Sequence, residues 1–147
     1  MRLDISLCLP SEASTVAVVR DVAVGALCRL SVSEADVDDI RLALSEACTN
    51  VIEHSGVDDE YEVRLDLDDD RCEIRVIDSG RGLDFADVER GLPDPMSPRG
   101  RGLAIIRAVV DGAEFSSQPE HGTMVRLVKR LAPVSGTPLH RRGEEGR

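Results

Sequence analysis

The sequence predicts an α+β fold, a two-layer α/β sandwich with helices on one face of a largely antiparallel sheet. Three observations predict it. Short runs with apolar residues at every second position read as half-buried strands. Longer stretches carry their apolar residues at helical spacing. The order is strand, two helices, two strands, a long loop, a helix and two strands, which is the pattern of a layered α+β domain. With 147 residues, 41% of them hydrophobic, the chain is long enough for one domain with a real core. Only 2% are aromatic and Trp is absent, so that core is made of Val, Leu, Ile and Ala.

The first strand is expected over Leu3 to Leu9, where Leu3, Ile5, Leu7 and Leu9 share one face, and Pro10 ends it. A helix follows over Ala13 to Leu30, with Val16, Val19, Ala23, Ala26, Leu27 and Leu30 inward. Either Ser31 with Glu34 or Ser33 with Asp36 starts a second helix. It runs to about His54, burying Val37, Ile40, Leu44, Ala47 or Cys48, and Val51, and Ser55-Gly56 stops it. Two strands, about Tyr61 to Leu67 and Cys72 to Asp78, are joined by the acidic turn Asp68-Asp69-Asp70. The Gly/Pro-rich segment from Gly80 to Gly100 is too long and broken for a simple turn and reads as a mobile functional loop. A helix over Leu103 to Val110 and a closing pair of strands, Ala113 to Ser117 and Thr123 to Val128, complete the domain. It is expected to span residues 1–132, leaving 133–147 as a disordered polar tail.

Charge and composition exclude some functions. A net charge of −10 argues against a nucleic-acid binder, which would show a basic stripe. It favours protein partners that offer a basic or mixed surface. No apolar run is long enough to cross a membrane and no signal-peptide layout opens the chain, so no membrane association and a cytoplasmic location are expected. Cys8, Cys28, Cys48 and Cys72 form no CxxC pair and sit beside no His at ligand spacing, which makes zinc improbable. They are expected to be reduced and structural, with Cys8, Cys28 and Cys72 acting as small hydrophobes within apolar stretches.

Chemistry concentrates in three motifs. In Glu46-Ala47-Cys48-Thr49-Asn50, a carboxylate and an amide four residues apart share a helix face, roughly opposite the Leu44 and Val51 stripe. Asn50 offers a neutral oxygen to Mg²⁺, and Glu46 a base for an attacking hydroxyl; Thr49 and Glu53 flank them. In Asp78-Ser79-Gly80-Arg81-Gly82, a carboxylate at a strand end can accept from an adenine amine, while Gly80 and Gly82 let the purine approach bare backbone. In Gly100-Arg101-Gly102-Leu103, backbone N–H groups at a helix start suit phosphate. Arg99 and Arg101 stand beside them as loop charges or phosphate contacts. Alone, each motif reads more readily as a polar helix face, a plain turn or glycines preceding a helix. In this order, with Gly122-Thr123 downstream, they describe a pocket for Mg-ATP.

Over about Leu3 to Leu131, the chain resembles the bacterial anti-sigma factor serine-protein kinases, a small single-domain branch of the GHKL superfamily. Ser45 to Asn50, through His54, is similar to that branch's N box. Asp78 to Gly82 is similar to its G1 box, and Arg99 to Leu103 to its G2 box. The resemblance implies the Bergerat ATP-binding fold with a flexible lid, here short and proline-rich, over about Asp84 to Arg99. It implies Asn50 on Mg²⁺, Glu46 as the catalytic base and Asp78 on adenine, supported by Thr123. Gly80, Gly82, Gly100, Gly102 and Leu103 would lie around base and phosphates, with Arg99 ahead of Arg101 for the γ-phosphate. The implied partners are a sigma factor, a STAS-type anti-sigma factor antagonist phosphorylated on serine or threonine, and a second copy in a homodimer. Two rival readings are an ATP-dependent binding module without kinase activity and a detached histidine-kinase ATPase domain.

Overall fold

The computed structural model describes residues 2–54, 60–78, 98–118 and 122–132. Their elements are β1 (Leu3–Pro10), α1 (Ser14–Arg29), α2 (Glu34–His54), β2 (Glu60–Leu67), β3 (Arg71–Asp78), α3 (Pro98–Val109), β4 (Gly112–Gln118) and β5 (Gly122–Arg130). The strands form one sheet in the order β1-β2-β3-β5-β4, and each neighbouring pair is antiparallel. The α+β sandwich is therefore as expected.

Period-2 patterning sets the sheet's inner face. Val63, Leu65 and Leu67 of β2, Cys72, Ile74 and Val76 of β3, and Val125 and Leu127 of β5 are all buried. They join one core with Val19, Ala23 and Leu27 of α1, Ile40, Ala43, Leu44, Ala47, Cys48 and Val51 of α2, and Leu103 and Ile106 of α3. Both Ala47 and Cys48 are enclosed, so the alternative in the α2 stripe resolves to both. The thiols of Cys48 and Cys72 are pushed up to about 12, in each case chiefly by burial. All four cysteines are free, but Cys8 and Cys28 are exposed. Cys8 falls on the outward row of β1, between the inward Leu7 and Leu9, so it is not the small core hydrophobe expected.

The link between α1 and α2 settles which serine caps the second helix. Val32 N–H donates to the Leu27 carbonyl at 3.1 Å and Ser31 N–H to that of Cys28 at 3.2 Å. This is a Schellman ending with Ser31 in the left-handed position, φ 60°. Ser31 thus closes α1, and Ser33 opens α2: its Oγ accepts the Asp36 N–H at 3.2 Å, and its carbonyl accepts the Val37 N–H at 2.9 Å. At the other end of α1, Thr15 Oγ1 donates to the Glu12 carbonyl at 2.7 Å and shares a 2.6 Å hydrogen bond with the buried hydroxyl of Tyr61. That bond fastens the helix start to β2.

The opposite face of the sheet is held by charge. Glu73, 7% exposed, receives Arg71 at 2.9 Å, Arg75 at 2.8 Å and both Nε and Nη2 of Arg126 at 3.1 and 3.2 Å. The Arg126 hydrogen bonds, followed by Arg75, hold the Glu73 carboxyl below its ordinary 4.5.

Two outcomes follow for stability. Ser31→Gly should raise the unfolding free energy by roughly 0.5–1 kcal/mol in denaturant titration, because glycine enters the left-handed region without a Cβ penalty. Glu73→Gln should cost roughly 1–3 kcal/mol at neutral pH by leaving three guanidinium groups without their carboxylate. A depressed folded-state value stabilises the ionised form, so this contribution is complete above 4.5 and is lost as the pH falls through the lower folded value. Denaturant curves across that range should show the gap between wild type and variant closing in acid.

Candidate functional site

The inward rows of β3 and β5 do not remain apolar to their ends. After Cys72, Ile74 and Val76, the next inward position of β3 is Asp78, which is fully buried. On β5 the row begins at Thr123, 1% exposed, directly opposite Asp78 in the register. On Asp78's other side the register places Tyr61, 1% exposed. A carboxylate, a hydroxyl and a phenol thus form one rung across three strands. Burying a carboxylate at a core position costs several kcal/mol unless it is compensated, so Asp78 is poorly explained as packing. Asp78 and Thr123 both interact with their surroundings, while the buried Oδ2 of Asp78 accepts no hydrogen bond from the protein. Burial raises the Tyr61 hydroxyl above its ordinary value, keeping it a neutral donor to Thr15. Tyr61, read from the sequence only as a strand residue, was missed as a neighbour of Asp78; its place in the same rung emerges only from the strand register.

The second group lies between α2 and α3. Asn50 is 3% exposed and Glu46 half-buried, whereas the sequence placed both on a face opposite the core stripe. The reason is α3, which packs along that side of α2. A Cβ added at Gly102 would stand 2.9 Å from Glu46 Oε2, and 3.5 and 3.6 Å from Nδ2 and Oδ1 of Asn50. Glycine thus leaves the backbone of α3 open toward these two side chains, of which the flexible end of Glu46 is the nearer. Nδ2 of Asn50 is buried without a hydrogen-bond partner, an arrangement worth roughly 1–3 kcal/mol of instability unless a ligand or a reoriented amide uses it. Thr49 is exposed and its hydroxyl donates to the Ser45 carbonyl at 2.8 Å, so it stays outside this cluster. Glu53 is likewise exposed.

The third motif sits deeper in its helix than the sequence suggested. Helix α3 starts at Pro98 rather than near Leu103, and a proline at the first helical position is a start signal in its own right. Its first-turn N–H groups without a partner in the helix therefore belong to Arg99 and Gly100. The Leu103 side chain is 4% exposed in the core, leaving its backbone alone to face a ligand. Gly80, Gly82 and residues 84–97 of the expected lid lie outside the described residues, as do the side chains of Arg99, Arg101 and His54. The structure brings Glu46, Asn50 and Gly102 together, and Asp78 with Thr123.

Comparison with known proteins identifies the family of the fold. Residues 9–129 match the histidine kinase-like ATPase domain family. The chain belongs to that family. It is 31% identical over 138 residues to the serine-protein kinase RsbW of Bacillus velezensis, covering 86% of this chain and 85% of that one. It is 33% identical over 137 residues to the serine-protein kinase RsbW of Bacillus cereus, covering 86% and 84%. These relatives place it in the anti-sigma factor serine-protein kinase branch. Among solved structures, the RsbU and RsbW domains of a Mycobacterium tuberculosis protein share its fold, with a TM-score of 0.69 at 23% identity, over 90% of this chain and 33% of the longer one. A histidine kinase domain from Erythrobacter litoralis superposes with a TM-score of 0.55 at 16% identity, over 83% and 61%. Domains of this family use ATP.

Gly102→Ala separates a site glycine from a packing one. The Glu46 carboxylate is a flexible end and can swing away, and alanine favours helix by about 1 kcal/mol, so stability should stay within roughly 1 kcal/mol of wild type. The displaced carboxylate and the methyl added beside Asn50 should weaken Mg-ATP binding by roughly tenfold or more, measured by calorimetry. Unchanged affinity would show that the glycine serves packing alone.

Proposed function

We propose that this chain is an ATP-binding anti-sigma regulatory factor that sequesters a sigma factor and phosphorylates a serine or threonine of a STAS-type antagonist. One observation carries the reading: a carboxylate and a buried amide with an unused donor converge on a side-chain-free position near the start of a helix. The donor set fits Mg²⁺, which keeps most of its waters and takes few protein ligands. Among the described residues no group of three acidic, His or Cys side chains competes for a metal. When bound, Mg²⁺ supplies positive charge against the phosphates.

Each residue then has a definite task. Asn50 would hold the metal through its amide oxygen. Asp78 accepts from the adenine amine, with Thr123 beside it, and Gly80 and Gly82 leave room for the base. The N–H groups of Arg99 and Gly100 would hold phosphate at the positive end of α3, with Arg99 ahead of Arg101 as the cation for the γ-phosphate. Glu46 takes the proton of the attacking hydroxyl as its oxygen bonds to the γ-phosphorus and the bond to ADP breaks.

Location and assembly belong to the same proposal. A cytoplasmic location is part of it, and no helix among the described residues is long and apolar enough to cross a membrane. A homodimer has a suitable surface in β1, an edge strand whose inward Leu3, Ile5, Leu7 and Leu9 are only half-covered, near the exposed Val18 and Val22 of α1.

Glu46→Gln tests the kinase reading. It keeps the size of the side chain but cannot accept a proton at neutral pH. Phosphoryl transfer to the antagonist should fall by roughly 10²–10⁴, followed with radiolabelled ATP, while Mg-ATP affinity stays within a few-fold. Transfer at the wild-type rate would place the base elsewhere. A wild type that binds Mg-ATP and its partners but never transfers phosphate would be a binding module.

A further inference from the structure

A second fastening joins the two site helices at the end away from Glu46 and Asn50. Lys129, the only lysine of the chain, closes the inward row of β5 that begins at Thr123. Its ammonium donates to the Val109 carbonyl at 2.9 Å and to Asp39 Oδ2 at 3.0 Å, with Asp36 Oδ1 at 3.9 Å. The Lys129 side chain is 15% exposed and that of Asp36 12%. Asp36 is itself anchored, since its Oδ2 accepts the Ala132 N–H at 2.8 Å.

Val109 ends α3, so its carbonyl is one of those a helix leaves unpaired, and a cation there also complements the helix dipole. Asp39 lies near the start of α2. The two helices are therefore antiparallel and tied twice: Gly102 against Glu46 and Asn50 at one end, and Val109 through Lys129 to Asp39 at the other. The spans match. Glu46 is seven residues beyond Asp39 and Val109 seven beyond Gly102, about 10 Å along each helix.

We propose that Lys129 is a positioning residue for phosphate binding, an inference that rests on the reading of the pocket as a nucleotide site. A helix moves as a stiff rod over two turns, so fixing where α3 ends against α2 fixes where its first-turn N–H groups stand relative to Asn50. The adenine side is independent of this bridge. Asp78 and Thr123 are set by β3 and β5, and β5 is paired on both sides along most of its length. Loss of Lys129 should thus harm phosphate recognition and spare base recognition.

The test compares Lys129→Met, Lys129→Arg and Asp39→Asn in the full chain, with Mg-ATP binding read by calorimetry and adenosine binding by NMR titration. Lys129→Met should weaken Mg-ATP by roughly tenfold and adenosine by less than about twofold. Lys129→Arg keeps the charge and the donors and should recover most of the loss; Asp39→Asn should fall between. Coupling is reciprocal, so in the wild type Mg-ATP should slow acylation of Lys129 by an amine-reactive ester, read by mass spectrometry, and adenosine should not. Equal losses for both ligands, or none for either, would overturn the inference while leaving the nucleotide reading intact. Should Lys129→Met not fold, acylation at one rate with and without Mg-ATP would overturn it equally. A wild type that binds no Mg-ATP would remove the nucleotide reading and this inference together.

Discussion

The packing of α3 along α2 governs the candidate site, and the bare backbone at Gly102 leaves the space there that Glu46 and Asn50 share. Any larger residue would place a Cβ 2.9 Å from the Glu46 carboxylate. Leu103 and Ile106 of α3 enter the same core as Ala43, Ala47 and Val51. The small side chains on α2 and the bare backbone on α3 let two helices approach, as helix packing requires where backbones come near. The packing that secures α3 also brings Glu46 and Asn50 beneath its first turns. Stability and chemistry therefore share one contact.

The sheet supplies the other half of the site by a similar economy. Alternation along β3 and β5 fills the core with Ile74, Val76, Val125 and Leu127, then runs on to Asp78 and Thr123 without changing face. A ligand meeting Asp78 would sit at the end of a rigid apolar row. On the far face, Glu73 ties Arg71, Arg75 and Arg126 together across β3 and β5, so the two strands that present Asp78 and Thr123 are braced on both sides. Such bracing keeps a polar group at a fixed place in a low-dielectric setting, where its interactions are strongest.

Local patterns carried much of this and failed at identifiable places. Leu3 to Leu9, Tyr61 to Leu67 and the α2 stripe were readable because each obeys a single period against one core. The choice between Ser31 and Ser33 was open because both satisfy a capping pattern, and only the left-handed backbone at Ser31 assigns it to the end of α1. The start of α3 was placed several residues late because glycines masked the start signal at Pro98. Cys8 and Cys28 looked apolar by neighbourhood, yet exposure follows the face of the element, and both point outward.

By itself the sequence determined the element types, the antiparallel sandwich, the three motifs and the family they resemble, since these depend on periodicity and short-range residue choice. Tertiary structure decided what those motifs become. Asn50 looked like part of a solvated face and is buried, because α3, with Gly102 52 residues further along, packs onto it. Asp78 and Thr123 became neighbours through strand register, and Lys129 became a bridge through the meeting of β5, α2 and the end of α3. Contacts between residues so far apart in the chain leave no local pattern, because folding alone brings them together.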